Sequence, residues 1–200
     1  MGSPSSPLSP GVDAVAFWVL IAAWVGFEVS LQWRARSQAD SPANQADHNT
    51  MPALIVGTWA AVAGGVAAAQ WIAIGRIPDP YSALVAGGGV LMALGMALRW
   101  WAVRVLGRHF TVRVTTSADQ RLVQTGPYRW LRHPGYAGAL LTVAGCLCCC
   151  ADIISITLLA LPAAAYAMRV AVEERAMGDR FGAEYVAYAA KRSRLIPFLL

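Results

Sequence analysis

The sequence predicts an all-α integral membrane protein, a helical bundle of about five transmembrane helices followed by a C-terminal cytosolic helical segment. Of its 200 residues, 57% are hydrophobic and 14% are charged, which is far more apolar than the composition of soluble domains. Backbone polar groups in lipid have to be hydrogen-bonded within the protein, and no apolar stretch of this chain alternates like a strand. Helices are therefore the predicted elements.

Five apolar stretches are the predicted spans, since about 20 helical residues are needed to cross a hydrocarbon core roughly 30 Å thick. They cover residues 12–33, 52–74, 81–106, 135–150 and 153–168. The first three are long enough to cross. The last two have 16 residues each and only Ala151 and Asp152 between them. They predict a tight helical hairpin that either just crosses or stops short of the far face.

Two glycine clusters lie within these stretches, at residues 64–65 and 87–89. No strand precedes either cluster, which argues against a nucleotide-binding loop. Small residues let transmembrane helices approach closely, so both clusters are predicted packing surfaces. Residues 1–11 form a Ser/Pro-rich tail that cannot bury apolar surface. No small-residue cleavage site follows the first apolar stretch, so we expect it to be a span and not a signal peptide.

The arginines predict how the spans are oriented. Residues 99–132 contain seven arginines and one acidic residue, Asp119, and the positive-inside rule puts such a segment in the cytoplasm. The loops at 75–80 and 151–152 then both lie outside, and the chain after Met168 returns to the cytoplasm. The net charge of +5 is explained by arginines that face anionic membrane lipids, so nucleic acid is not a predicted partner.

A polar segment, QRLVQTGPYRWLRHPGY at residues 120–136, separates the third and fourth spans. Proline fixes its own φ and biases the preceding residue toward extended backbone, so Pro127 and Pro134 predict a stiff frame. This frame carries Tyr128, His133 and Tyr136. The residues leave two interpretations open, a binding site or an interfacial loop that contacts lipid headgroups.

A second polar segment follows the last predicted span. Arg169 and Glu173 are four residues apart and share one helix face, either as a simple ion pair or as part of a site. Gly178 and Gly182 are predicted to interrupt this helix, and another short helix is predicted to begin at Glu184. Both polar segments are predicted to meet at the cytosolic end of the bundle.

Four sequence elements in order, LVQTGPYRWLRHPGYAG, EER, RFGAEYVAY and RLIP, resemble the isoprenylcysteine carboxyl methyltransferase family of membrane enzymes. The resemblance covers residues 106–197. It implies a multi-span enzyme that uses S-adenosyl-L-methionine without a Rossmann domain. The apolar stretches predict three N-terminal transmembrane helices (12–106), and the resemblance implies a cofactor-binding catalytic half (107–200) with a transmembrane helical hairpin and C-terminal helices. Membrane methyltransferases of phospholipid amines share much of this pattern, so the resemblance indicates the cofactor class more strongly than the acceptor.

The resemblance also implies which residues form the site. The cofactor contacts carried over to this sequence are Arg113, Gln120, Arg121, Leu122, Val123, Tyr128, His133, Pro134, Gly135, Tyr136 and Glu173. Arg169 is implied to be the catalytic residue that holds a substrate carboxylate. Gln120 stands where the prenylcysteine enzymes more usually have histidine, and Gly135 where they have serine. A composition rich in Ala, Gly, Val and Arg indicates a bacterium, so the expected location is the bacterial inner membrane.

Carboxylate and amine acceptors make different chemical demands. A carboxylate has an ordinary pKa of about 4, so it needs no base, and the planar guanidinium of an arginine can orient it. An ammonium must first lose a proton, for which Glu173, Glu174 and His133 are the candidates. We expect a lipophilic or lipidated carboxylate acceptor. Phospholipid amine methylation, non-enzymatic lipid binding and a sterol-type reductase are the alternatives.

Other conspicuous residues have simpler interpretations. The four cysteines lie in one apolar stretch, where cysteine behaves as a small hydrophobic residue, so neither a metal site nor a disulfide framework is predicted. Glu28 either snorkels toward the headgroups or lines a cavity. His133 either binds the cofactor or caps the fourth helix. Tyr128 and Tyr136 either stack on adenine or belong to the interfacial aromatic belt.

Overall fold

The fold is a bundle of antiparallel helices in a computed structural model that describes residues 12–36, 50–72, 74–77, 81–107 and 122–195. Within these ranges the α-helices are Val12–Arg36 (α1), Thr50–Trp71 (α2), Tyr81–Leu106 (α3), Pro134–Cys149 (α4), Ile153–Thr157 (α5), Ala160–Phe181 (α6) and Ala183–Ala189 (α7). A 3-10 turn, Gly126–Arg129, precedes α4. The all-α prediction is confirmed.

The predicted spans agree with the helices except in the hairpin. Among the described residues, four segments are long and apolar enough to cross a membrane: Ala14–Trp33, Thr50–Trp71, Ala83–Leu106 and Ile153–Phe181. The remaining one, α4, has 16 residues and is a shorter apolar helix. The apolar part of the last span ends at Met168 as predicted from hydropathy, and the helix that emerges from it continues to Phe181. Arginine, alanine, glutamate and methionine favour helix beyond the apolar part.

Glycine behaves differently at the two positions predicted to interrupt this helix. Gly178 lies inside α6 and does not break it, so that prediction is wrong. Gly182 has φ of +51° and ends the helix, because glycine adopts positive φ without a steric cost. The chain then turns and α7 begins at Ala183, as the predicted short helix requires.

The turn between α4 and α5 lies at the same end of the bundle as the loop between α2 and α3. Ala151 adopts φ of +47°, and Asp152 caps α5 by accepting a 2.9 Å hydrogen bond from the Ser155 backbone NH. Ile77 NH donates to the Ala151 carbonyl at 3.0 Å, and Ile153 NH donates to the Gly75 carbonyl at 2.9 Å. The two loops that the arginine pattern puts on one side are therefore paired.

Helices α3 and α4 touch backbone to backbone along glycine faces. A Cβ at Gly138 would lie 2.7 Å from the Arg99 nitrogen, and one at Gly145 would lie 2.6 Å from the Met92 nitrogen. The predicted packing role is confirmed at Gly88, where a Cβ would lie 2.6 Å from a carbonyl oxygen of α4. Open space surrounds Gly87. This contact fixes the start of α4, and therefore the polar segment before it, against α3.

Candidate functional site

The segment before α4 has the stiff geometry that its prolines predict. Gly126 has φ of +59°, and Pro127 begins the 3-10 turn. Pro134 occupies the first turn of α4, and His133 precedes it with φ of −127°. Proline is well suited to a first helical turn because its missing NH would have no intrahelical partner there. The side chains of this segment are therefore held at one end of the bundle.

The His133 ring points at α6 and does not cap α4. Its Nδ1 lies 3.5 Å from Glu173 Oε2, and its Nε2 lies 3.5 Å from Glu174 Oε1. The ring stacks on Tyr136 with 5.8 Å between centroids and 11° between planes. His133 is the N-cap residue of α4, and its carbonyl accepts from the NH groups of Tyr136 and Ala137, but its ring makes no hydrogen bond to the helix start. His133 instead joins the two polar segments.

Arg169 and Glu173 form the centre of a buried polar cluster. The Arg169 side chain is fully buried, and its Nε donates to Glu173 Oε1 and to the Tyr136 hydroxyl, each at 3.2 Å. The Tyr136 hydroxyl donates to the same Glu173 oxygen. Arg169 NH1 donates to the Thr50 hydroxyl at 2.9 Å. The predicted ion pair within α6 is confirmed, and it also binds α2 and α4.

Glu174 binds an arginine from each of two segments beside this cluster, one before α4 and one after α7. It contacts Arg132 NH1 at 2.7 Å and Arg194 Nε at 3.1 Å. The backbone pairs beside it, since Arg132 NH donates to the Ser193 carbonyl at 2.8 Å and His133 NH donates to the Arg194 carbonyl at 3.1 Å. The segment after α7 is thus hydrogen-bonded to the RHP element at residues 132–134.

The pKa of His133 results from opposing effects. Burial of the ring lowers the pKa, whereas the contacts and negative charges of Glu173 and Glu174 raise it and prevail, so the pKa lies above its ordinary value. An imidazole between two carboxylates is favoured in its charged form. The described residues of the cluster include three guanidiniums and two carboxylates, so the site is already cationic, and a protonated His133 makes it more so.

The structure brings together most of the residues that the sequence singled out. His133, Pro134, Gly135, Tyr136, Arg169 and Glu173 lie in or next to the cluster. Tyr128 is buried beneath α7, whose Tyr188 hydroxyl donates to the Tyr128 carbonyl at 3.0 Å. Leu122 and Val123 are half-buried in the stretch before the 3-10 turn. Arg113, Gln120 and Arg121 lie outside the described residues.

Several residues of the cluster were not predicted as site residues. Thr50 carried no signal, because a threonine at the start of an apolar stretch is a common helix start. Arg132 and Arg194 belong to the RHP and RLIP elements, which is the signal that could have found them. Glu174 stood only among the candidate bases. Its contacts to two arginines instead make it an anchor of the surrounding chain.

The fold and this cluster define the protein as a helical membrane protein with a buried ionic site at one end of its bundle. Residues 89–179 match the model of the isoprenylcysteine carboxyl methyltransferase (ICMT) family. This segment, which includes the RHP element, Arg169 and Glu173, is similar to that family. The resemblance that the motifs carry is therefore confirmed.

Relatives and one solved structure extend the comparison. A probable protein-S-isoprenylcysteine O-methyltransferase of Oryza sativa subsp. indica is 33% identical over 117 residues, which cover 56% of this chain and 60% of that protein. The protein-S-isoprenylcysteine O-methyltransferase of Saccharomyces cerevisiae is 31% identical over 115 residues, covering 56% of this chain and 48% of the yeast protein. The chain thus spans about 60% of the length of the first of these relatives. The structure of the eukaryotic intramembrane Ras methyltransferase ICMT is similar in fold, with a TM-score of 0.67 at 21% identity over 96% of this chain and 70% of that one.

Proposed function

We propose that this protein is an S-adenosyl-L-methionine-dependent methyltransferase that methylates the carboxylate of a lipophilic or lipidated acceptor. The observation that carries the proposal is the convergence of His133 and Tyr136 with Arg169 and Glu173 in a family whose relatives are named as O-methyltransferases. These residues come from two polar segments far apart in sequence, and the resemblance implies that both belong to the site.

The residues fit an S-adenosyl group on chemical grounds. The Glu173 carboxylate accepts two hydrogen bonds on Oε1, while Oε2 has only the longer contact to His133. A carboxylate has about four lone-pair sites, so Glu173 can accept further hydrogen bonds from ribose hydroxyls. His133 Nε2 is buried and has only the 3.5 Å contact to Glu174 Oε1, without a hydrogen bond among the described residues. Glu173 Oε2 and His133 Nε2 can therefore form hydrogen bonds with a nucleotide.

The same residues explain how an acceptor would be handled. When bound, S-adenosyl-L-methionine supplies an electrophilic methyl group, whose bond to sulfur breaks as the acceptor oxygen bonds to carbon. Arg169 would orient the acceptor carboxylate, and positioning of this kind supplies much of the rate in a displacement reaction. Both glutamates already contact cationic groups, which leaves them poor acceptors for the proton of an ammonium. This favours carboxylate over amine methylation.

Cofactor binding is the first test. S-Adenosylhomocysteine should raise the Tm of the purified protein in detergent, since a ligand at 100 times its Kd stabilises the folded state by about 2.7 kcal/mol. NADPH at the same concentration is the matched control. A protein stabilised by NADPH alone would be a reductase, and one stabilised by neither would be a lipid-binding protein without this cofactor.

Acceptor class is the second test. Methyl transfer from labelled S-adenosyl-L-methionine is measured with a prenylated cysteine analogue that has a free carboxylate, with its methyl ester, and with phosphatidylethanolamine. We expect transfer to the free carboxylate only, at a rate that stays flat from about pH 6 to 8 because the acceptor is already ionised. Transfer to phosphatidylethanolamine at a rate that rises with pH would identify an amine methyltransferase.

The site is proposed to face the cytoplasm of a bacterial cell from the inner membrane. The arginine-rich stretch at residues 99–132 supports this orientation, because positive residues favour the cytoplasmic side. Green fluorescent protein fused after Leu200 should fluoresce, whereas alkaline phosphatase fused there should be inactive. The opposite pair of results would put the C-terminus, and the site beside it, outside.

A further inference from the structure

A second ion pair lies among the transmembrane helices, in a part of the chain that the sequence motifs do not cover. Arg99 of α3 contacts Glu28 of α1 twice, with Nε 2.7 Å from Oε1 and NH2 2.9 Å from Oε2. The side chains are 14% and 18% exposed. Glu28 thus points into the bundle and does not snorkel. A side-on contact of this kind is geometrically specific.

The third nitrogen of the Arg99 guanidinium reaches the site. Arg99 NH1 donates to the Gly135 carbonyl at 3.0 Å. Gly135 stands between His133, whose ring contacts Glu173, and Tyr136, whose hydroxyl contacts both Glu173 and Arg169. The Arg99 guanidinium therefore connects Glu28 of α1 to Gly135, the residue between His133 and Tyr136 of the cluster.

The packing around this link leaves it little freedom. The backbone of Arg99 lies against Gly138, one turn into α4, closely enough that a Cβ there would be 2.7 Å from the Arg99 nitrogen. The Tyr136 ring is also held from the other side, where Tyr166 of α6 lies 5.2 Å away between centroids. The guanidinium cannot turn away from Gly135 without losing Glu28 as well.

From these contacts we infer that Glu28 and Arg99 are positioning residues for the cofactor site, an inference that rests on the proposed methyltransferase function. Glu28 holds the guanidinium, and the guanidinium holds the Gly135 carbonyl and therefore the start of α4. Neither residue touches the reacting groups. An uncompensated charge among apolar helices is costly, so a guanidinium that loses Glu28 moves toward other acceptors and displaces Tyr136.

The test separates a positioning role from a purely structural one. Glu28→Gln keeps the shape of the side chain and removes its charge, and we expect the KM for S-adenosyl-L-methionine to rise about tenfold, which corresponds to ~1.4 kcal/mol. The kcat should change less than about threefold, because the acceptor-binding Arg169 is untouched. Arg99→Lys should behave similarly, since one ammonium cannot reach Glu28 and the Gly135 carbonyl together. Ser30→Ala is the matched control: it removes a hydrogen bond to the Phe27 carbonyl on the same helix and should leave both constants unchanged.

The outcomes distinguish a positioning role of Glu28 and Arg99 from a purely structural one, and both from a failure of the proposed function. A Glu28→Gln protein with lowered Tm and unchanged cofactor KM would overturn the inference, since the pair would then serve stability alone. If Glu28→Gln does not fold, Glu28→Asp keeps the charge and should give a smaller rise in KM, and an unchanged KM there would refute the role. A wild-type protein that S-adenosylhomocysteine does not stabilise would refute the proposed function. A stabilised wild type whose variants bind it equally well would refute only the positioning role.

Discussion

Glu173→Gln tests the centre of the site, because three groups converge on this carboxylate. The Tyr136 hydroxyl donates to Oε1, Arg169 Nε lies 3.2 Å from Oε1, and His133 Nδ1 lies 3.5 Å from Oε2. Removing one partner of a buried ion pair costs about 3–5 kcal/mol. Glu173 keeps 22% exposure, and the amide oxygen of glutamine can still accept one of these bonds, so we expect a loss of about 2 kcal/mol.

The assay is thermal unfolding of the purified protein in detergent. For a chain of this size 1 kcal/mol corresponds to about 2–4 °C in Tm, so the variant should melt about 4–8 °C below wild type. The stabilisation by S-adenosylhomocysteine should also be lost. Glu184→Gln, an exposed glutamate of α7, is the control and should change neither quantity. A Glu173→Gln protein as stable as wild type would refute the ion cluster. A destabilised variant that keeps the ligand response would refute the cofactor assignment.

Three further perturbations test the acceptor site, the titration of the cluster and the helix packing. Arg169→Lys should lower turnover about 100-fold, equal to ~2.7 kcal/mol, because an ammonium lacks the planar fork that would orient the acceptor carboxylate. It should leave the cofactor KM within about threefold, because a positive charge remains beside Glu173. Wild-type stability should fall relative to His133→Asn as the pH rises above about 6.5. The pKa of His133 is raised in the folded state, so the charged ring stabilises the folded protein at low pH, and this contribution is lost when the ring loses its proton. Gly138→Ala should lower stability by about 1–3 kcal/mol in the same melting assay, because its Cβ would meet the α3 backbone.

Controls and contrary outcomes are specific to each of these tests. An Arg169→Lys protein with normal turnover and a much higher cofactor KM would exchange the roles of Arg169 and Glu173. Parallel pH profiles for wild type and His133→Asn would mean that folding does not raise the pKa of the ring. Gly87→Ala is matched to Gly138→Ala, since open space surrounds Gly87 in α3, and it should be neutral. Equal losses at both glycines would contradict the close contact of α3 and α4.

The sequence predicted the presence of the helices better than the residues at which they end. Apolar length alone placed α1, α2 and α3 within a few residues of their observed bounds, because a span must cover the hydrocarbon core. The same argument ended the apolar part of the last span at Met168, and only the spacing of Arg169 and Glu173 predicted that the helix continues, as α6 does for 13 further residues to Phe181. Those residues are polar enough to lie outside the apolar core and still favour helix. Hydropathy indicates which part of a helix lies in the hydrocarbon core, but it does not indicate the residue at which the helix ends.

The sequence by itself determined the class of fold and the two polar segments, because hydropathy, proline positions and an i,i+4 spacing are local properties. It also marked His133, Tyr136, Arg169 and Glu173 through motifs. Only the tertiary structure decided which charges meet across helices. Arg169 and Thr50 are 119 residues apart, and Arg99 and Glu28 are 71 apart. Such pairs depend on the rotation and depth of each helix, which close glycine packing sets and no single segment encodes.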